Sequence, residues 1–593
     1  MNDLSRTATA RSTRSSRSRR RRGDSVVSRV YSGQHLDDQT VYHEDEFHAE
    51  ESFDEDEKSP IPEGREDEDS SSSDSLSSDE ESHDGPTLEN DAGIMTERDT
   101  DLERGPRENL EKTATRKSQR SQRDPKLVTW EGPDDPENPK NWSMKRKWAA
   151  TFVVSCFTFI SPVSSSMVAP ALGTIAAEFN VKNEVESQLM LSVFILAYAV
   201  GPLFLGPLSE MFGRVKVLQL ANLFYLAFNI ACGVCTSKGQ LIAFRFLSGL
   251  GGSVPLAVGG GVLSDCFKSD ERGKAVAIYS LAPLLGPAVG PIAGGFITEN
   301  TTWRWVFYAT SIADAVIQTA GFFLLQETYA PQILKVKANK IRKETGDPSW
   351  HTEFESPDKT IFSILRVSMV RPFRLLATQP IVQALAVYMA YMYGLMYLML
   401  ATFPSLWTSP EYYNESIGIG GLNYISLGVG FFLASQTCAP LNDRIYRYLK
   451  IRNNGVGKPE FRTPLIVIAA TLMPIGLFIY GWTAQYHTHW IGPNIGAAVF
   501  SAGVIIGFQC IQTYLVDSYT RFAASALAAA TVLRSLAGFG FPLFAPYLYQ
   551  ALHYGWGNSL LAFIAIGIGG PAPFLLWKYG EKLRVLSPYA AGG

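Results

Sequence analysis

From Trp148 onward the polar positions thin out: WAATFVVSCFTFISPVSSSMVAPALGTIAA runs about 30 residues without a charged side chain, more than the roughly 20 a helix needs to cross the hydrocarbon core of a bilayer. The same criterion predicts further spanning helices near 188–208, 216–236, 240–263, 274–297 and 305–326. After a polar interval of about 50 residues it predicts more near 380–403, 418–440, 464–484, 491–515, 523–549 and 557–577. The pattern is six spans, a charged loop and six more, so the chain reads as an all-α membrane protein with about twelve transmembrane helices. The segments are a charged tail (1–147), a first group of six helices (148–327), a central loop (328–379), a second group of six (380–578) and a short C-terminal tail (579–593).

Composition sharpens the division. The chain has a net charge of -4 and a mean hydropathy of +0.01. Both are averages over unlike parts, because residues 1–147 hold 60 of the 110 charged side chains and carry a net charge of about -12. That tail runs from RSTRSSRSRRRR through HEDEFHAEESFDEDEK and the acidic serine tract near 70–85 without apolar periodicity, and is expected to be disordered. No apolar stretch follows the Arg block within the first 30 residues, so it is not a secretory signal. A larger acidic run beside it and the lack of interleaved aromatics speak against nucleic acid as a partner. Ser12, Ser15, Ser16 and Ser18, and the serines from Ser70 to Ser78, are candidate kinase substrates, each gaining nearly two negative charges on phosphorylation.

Lysine and arginine set the orientation. Loops after the even-numbered spans carry Arg214 and Lys216, then Lys268, Arg272 and Lys274, the central LKVKANKIRK, the run from Arg444 to Arg462, and Arg521. The alternate loops carry Glu178, Glu184, Glu186, Glu299, Glu411, Tyr412 and Tyr413. Both termini and the central loop are therefore expected in the cytoplasm. Asn414 opens an N-x-S sequon in an outer loop, a glycosylation candidate, whereas Asn141 opens one that would face the cytosol. The plasma membrane is the expected location, with the vacuolar membrane as the alternative, since both share the cytosol.

The six cysteines lie in or beside apolar runs, and Cys232/Cys235 has no second pair at zinc spacing, so packing is expected rather than a disulfide framework or a metal site. GGSVPLAVGGG lacks a Walker lysine, and no HExxH or nucleophile elbow occurs in the spans, so neither a cofactor nor an enzyme activity is expected.

Charges inside spans need a partner or water. Arg245 lies within LIAFRFLSGLGG of the fourth span, either held by backbone carbonyls or headgroups, or set in a central cavity. Asp314 in the sixth span is the clearest intramembrane carboxylate and a candidate proton carrier; Arg534 in the eleventh is a similar case. In the fifth span Gly286, Gly290 and Gly294 recur every fourth residue and present a bare face for a neighbouring helix, beside Pro287 and Pro291. Between the second and third spans, Glu210 and Arg214 lie one helical turn apart, able to pair at an inner gate.

On these residues the chain resembles the major facilitator superfamily, and within it the fungal twelve-span drug:proton antiporters that include polyamine and multidrug exporters. The family's loop signature is matched by Gly206, Leu208, Glu210, Gly213, Arg214 and Lys216, its fourth-helix pattern by Leu241, Arg245 and Gly249, and its antiporter motif by Gly286, Gly290, Pro291, Gly294 and Gly295. NPKNWSMKRKW, WRWVF, ETYAP and DSYTRFAASALAAATVLRS add to the likeness; the second half's copy of the loop signature is reduced to Asp443 and Arg444. The resemblance implies two six-helix bundles around a cavity open alternately to each side. It also implies proton-driven export of a drug or polyamine-like organic cation, and the expected unit is a monomer. A dedicated exporter of one metabolite, or a transporter-like receptor, is the alternative. Candidate substrate contacts are Tyr198, Tyr388, Tyr391, Gln509, Gln512 and Tyr514, on aromatic or polar faces of the second, seventh and tenth spans.

Overall fold

The computed structural model describes residues 124–590 apart from 125, 269–270, 356–360 and 588. The kinase-substrate serines of the tail, and its expected disorder as far as residue 123, lie outside the described residues.

Among the described residues, eleven helical stretches are long and apolar enough to cross a membrane. In chain order they are Met144–Glu178, Glu184–Phe212, Arg214–Val234, Lys238–Cys266, Ile278–Asn300, Arg304–Leu324, Pro380–Thr408, Ile417–Arg452, Pro459–Gln485, Ile491–Ser518 and Ala523–Val585. The last has 63 residues, about 95 Å of continuous helix, three times the hydrocarbon thickness. It is not continuous. The backbone leaves the helical region at His553 (φ 53°, ψ -179°), the rings of Tyr549 and Tyr554 stack with centroids 4.6 Å apart, and the Tyr549 hydroxyl donates to Asn558 Oδ1 at 3.1 Å. Residues nine apart meet only if the chain doubles back, so this stretch is the eleventh and twelfth spans, and the crossings number twelve.

The two halves pack by one scheme. In the first, spans one and five, two and four, three and four, and three and six are partners; in the second, seven and eleven, eight and ten, nine and ten, and nine and twelve. The halves meet along spans two and eleven and spans five and eight, which exchange under the same pairing. The first and seventh spans are the most enclosed, as expected of helices nearest the axis between bundles.

Helix approach is set by small residues. A Cβ added at Gly286, Gly290 or Gly294 would lie 2.7 Å from Pro162 Cβ, 2.5 Å from Ser166 Oγ or 2.1 Å from the Met167 carbonyl, so this stripe is spent on the first span inside its own bundle. Gly295 faces the other way: its Cβ would lie 2.8 Å from the Ile417 carbonyl at the start of the eighth span.

Ordered structure begins before the boundary read at 147. Strands β1 (Leu127–Val128) and β2 (His351–Thr352) pair in parallel, tying the segment ahead of the first span to the central loop. Lys337 on the central-loop helix Ala330–Thr345 reaches Glu131 at 2.8 Å, Glu137 at 3.7 Å and Asp135 at 3.9 Å. Lys126 adds an ion pair with Asp347 at 2.8 Å. The central loop also holds a second helix, Ile361–Thr378.

Candidate functional site

The face carrying both ends of the described segment and the central loop, the terminal face, holds one charge cluster per bundle. In the first, Gly213 ends the second span at φ 103°, a conformation that favours glycine. An added Cβ there would also lie 2.3 Å from Glu327 Oε2. Glu327 caps the third span: its Oε1 accepts the Arg214 amide at 2.8 Å and its Oε2 the Val215 amide at 3.3 Å, the arrangement that helix N-termini favour for anions. The Arg214 guanidinium donates to Ser209 Oγ at 3.0 Å and pairs at 3.5 Å with both Glu210 and Asp265. It also lies 4.8 Å from the centroid of the Tyr329 ring, whose phenol burial pushes up to about 12. Lys216 is exposed, and a Cβ at Gly206 would meet open space. The pairing of Glu210 and Arg214 is thus the solvent-facing edge of a larger cluster. Asp265 and Glu327, at the terminal-face exits of the fourth and sixth spans, are residues the sequence reading passed over, although Glu327 opens the ETYAP segment.

The second bundle repeats the arrangement with residues from another place. Arg462, in the first turn of the ninth span, bonds Asp443 at 2.7 Å and Asp517 at 3.0 Å and lies 4.2 Å from the Tyr446 ring centroid. By span order Arg462 is the counterpart of Arg214, and Asp443 and Asp517 of Glu210 and Asp265. The signature is spread over a longer loop rather than lost. Arg584 adds a bond to Glu460 at 3.1 Å, and the Tyr514 hydroxyl meets the same carboxylate at 3.4 Å. Tyr514 therefore stands at the terminal face and not at mid-membrane.

Inside the first bundle Arg245 is fully buried and spends its donors on backbone. Nε donates to the Met190 carbonyl at 3.1 Å, Nη1 to Ser164 at 3.0 Å, and Nη2 to Ser165 at 3.1 Å and Leu191 at 3.2 Å. Of the two readings open in the sequence, carbonyl binding is the one the structure places. Asp314, also fully buried, accepts from Asn222 Nδ2 at 3.1 and 3.0 Å, and the same amide reaches Gln318 at 2.9 Å. Asp314 and Arg245 are not brought together. Cys232 and Cys235 are buried in the first bundle's core.

At the seam between bundles stands Arg534. Its Cζ lies 5.1 Å from the Tyr393 ring centroid and 4.8 Å from that of Phe508, and those rings stack with centroids 6.0 Å apart. Tyr393 packs against Tyr397 at 4.9 Å. The Tyr397 hydroxyl meets Ser165 Oγ of the first span at 3.3 Å, and the Tyr198 hydroxyl meets Ser161 Oγ. Tyr198 is thus near the seam, but Tyr388 and Tyr391 are not. Tyr391 donates to the Leu561 carbonyl at 2.5 Å, and the Tyr388 hydroxyl lies against Gly569, so both point into the twelfth span. Gln509 is taken up by Ser435 at 2.9 Å; Gln512 is half-buried. The aromatic contacts at the seam are Tyr393, Tyr397 and Phe508. Tyr393 and Tyr397, four residues apart in the seventh span, were visible in the sequence, but Tyr388 and Tyr391, which share another face, were the ones chosen.

Opposite the terminal face, hydrogen bonds join the two bundles. Glu299 of the fifth span accepts the Gly418 amide at 2.7 Å and the Ser416 hydroxyl at 3.3 Å, and Gln550 donates to Glu184 at 3.0 Å. Asn414 is exposed beside this latch, at φ 50°.

Comparison with known proteins adds the following. Residues 154–542 match the model of the Major Facilitator Superfamily. The efflux pump vrtL of Penicillium aethiopicum is 53% identical over 470 residues, 79% of this chain and 92% of the pump. An uncharacterized transporter of Schizosaccharomyces pombe is 48% identical, covering 82% of this chain and 98% of that one. The efflux pump radE of Floropilus chiversii is 44% identical, covering 80% and 87%. Among solved structures, the xylose transporter XylE from E. coli, in a partially occluded inward-open conformation, aligns with TM-score 0.52 at 16% identity over 73% of this chain and 98% of XylE. A bacterial homolog of the human lysosomal transporter Spinster aligns with TM-score 0.51 at 15% identity over 75% and 93%. These two likenesses concern the fold alone.

Proposed function

The chain belongs to the major facilitator superfamily, a family of membrane transporters rather than enzymes, and from that premise we propose that it exports a small organic solute by proton-coupled alternating access. The observation that carries this reading is the position of Arg534: a charged side chain with no hydrogen-bond partner among the described residues, at the seam of two bundles that pack by the same scheme. A solute held there touches both halves, so rocking one against the other changes the side to which it is exposed. Export is the direction because two close relatives bear the name efflux pump. The basic terminal face is the cytoplasmic one by the distribution of Lys and Arg, and the plasma membrane is the location assigned here, with the vacuolar membrane as the alternative.

Asp314 is the carboxylate we assign to the proton, since among the described residues it is the one buried at mid-span. Asn222 donates to it whether it is charged or neutral, so a proton can come and go without dismantling the site. The terminal-face clusters around Arg214 and Arg462 each tie helices of one bundle together, so that each half can rock as a unit. A polyamine is a poor match, because its ammonium groups would approach a cation rather than a carboxylate at the seam.

The test is uptake into inside-out membrane vesicles with an imposed acidic lumen, across a panel of aromatic solutes of each charge. Uptake that collapses with a protonophore is the expected result; uptake indifferent to the gradient across the whole panel overturns the proposal.

A further inference from the structure

We propose that the seam site takes an anionic aromatic solute, a carboxylate or phenolate on a planar ring system, with Arg534 as its counter-ion. This rests on the transport reading for its purpose, but not for its binding chemistry. Arginines in the spans can be compared directly. Arg245 donates four of its five N–H groups to backbone carbonyls. Arg534 lies against both rings of the Tyr393–Phe508 pair, 5.1 and 4.8 Å from their centroids, and its Nε is buried without an acceptor. Among the described residues it forms no ion pair with a carboxylate.

Ring faces offset part of a guanidinium's charge but supply no acceptor for its N–H groups. Arg534 is half-buried, and an incoming anion offers its Nε the acceptor it lacks while gaining the paired hydrogen bonds for which the guanidinium fork is shaped. The surrounding surface suits a flat aromatic body. Tyr393, Tyr397 and Phe508 come from the second bundle and Tyr198 from the first, and the hydroxyl contact of Tyr397 with Ser165 crosses between bundles. Gly538, one turn beyond Arg534, has no side chain where a Cβ would lie 2.9 Å from the Tyr393 ring. The eleventh span is thereby held close enough for the guanidinium to rest against both rings.

The full chain, purified in detergent and reconstituted, can be titrated with three probes of one shape: 9-anthracenecarboxylate, its neutral carboxamide and 9-anthracenemethylammonium. The expected result is that the carboxylate binds about tenfold or more tighter than the other two. Arg534→Ala or Arg534→Gln should remove that advantage, with carboxamide binding changed less than about twofold, and Arg534→Lys should restore a preference for the anion. Wild-type protein that binds the ammonium probe as tightly as the carboxylate overturns the proposal. So do Arg534 variants that weaken all three probes alike, the signature of a packing role. Where Arg534→Ala does not yield folded protein, the Lys and Gln pair decides. If the carboxylate binds through Arg534 but no probe moves with a pH gradient, the transport reading falls and the site stands. If the carboxamide or ammonium probe is driven while the carboxylate is not bound, transport stands and the site falls.

Discussion

Three charged residues inside the spans looked alike as letters and differ by what they touch. A sequence shows that a charge lies within an apolar run; it does not show which way the helix is rotated, and that decides between a structural and a functional role. Arg245 closes its own bundle by binding carbonyls of the first and second spans. Its removal strands buried acceptors, at a cost on the order of 3 kcal/mol. Arg245→Ala is therefore expected to lower the thermal stability of the purified protein and its surface abundance together; loss of transport with unchanged melting would contradict this placement. Asp314→Asn keeps the size of the side chain and its contact with Asn222. It is expected to leave solute binding and downhill exchange within about twofold while abolishing response to a pH gradient. The aromatic run of the seventh span was legible as a set of rings. Choosing Tyr388 and Tyr391 over Tyr393 and Tyr397 for the cavity was an error of helix rotation, since the former pair bonds to or packs on the twelfth span.

At the scale of elements, hydropathy was sufficient for the number of crossings because a bilayer permits little else than helices. It did not reveal the break at Ser253 between Lys238–Gly252 and Val254–Cys266, or the folded segment ahead of the first span, whose polar residues resemble those of the tail. The second terminal-face cluster was missed for a related reason. A motif depends on spacing, and the loop that separates Asp443 from Arg462 removes the spacing while the fold restores the contact. The glycines of the fifth span serve two partners, and their substitutions should part accordingly. Gly294→Ala drives a methyl into the Met167 carbonyl and is expected to destabilise the first bundle by about 1–3 kcal/mol. Gly295→Ala acts at the Ile417 carbonyl across the seam and is expected to slow transport with little change in melting temperature.

The clasp around Lys337 gives a pH prediction. The Asp135 carboxylate accepts the Glu131 and Glu137 amides, and the bond from Glu131 leads in holding its pKa below the ordinary value. A carboxyl lowered in the folded state stabilises it above the ordinary carboxylate range, and that contribution is lost as pH falls through the lowered value. Hydrogen exchange over residues 126–142 should accelerate on such acidification, and Asp135→Ala should show the same acceleration at neutral pH; exchange that stays slow in both would remove the clasp from the account.

For the whole molecule, the two halves are joined opposite the terminal face by Glu299 with Gly418 and by Glu184 with Gln550, and these bonds must break for a solute to leave on that side. Glu299→Gln exchanges a charged acceptor for a neutral one and is expected to favour the state open there, read as faster cysteine labelling near Gly418. Energetically, an anion leaving a cell and a proton entering it both move with an inside-negative potential, each gaining about 2.3 kcal/mol per 100 mV. The potential as well as the pH difference should therefore drive the cycle. The most direct measurement records solute and proton together, following 9-anthracenecarboxylate and lumenal pH in proteoliposomes of the full chain. The expected result is proton flux opposite to the solute, in fixed ratio, accelerated by a potential that favours movement of the anion out of the terminal-face side, and absent in Asp314→Asn. Solute flux without proton movement, or a fixed ratio that survives in Asp314→Asn, would contradict proton-coupled exchange through this residue.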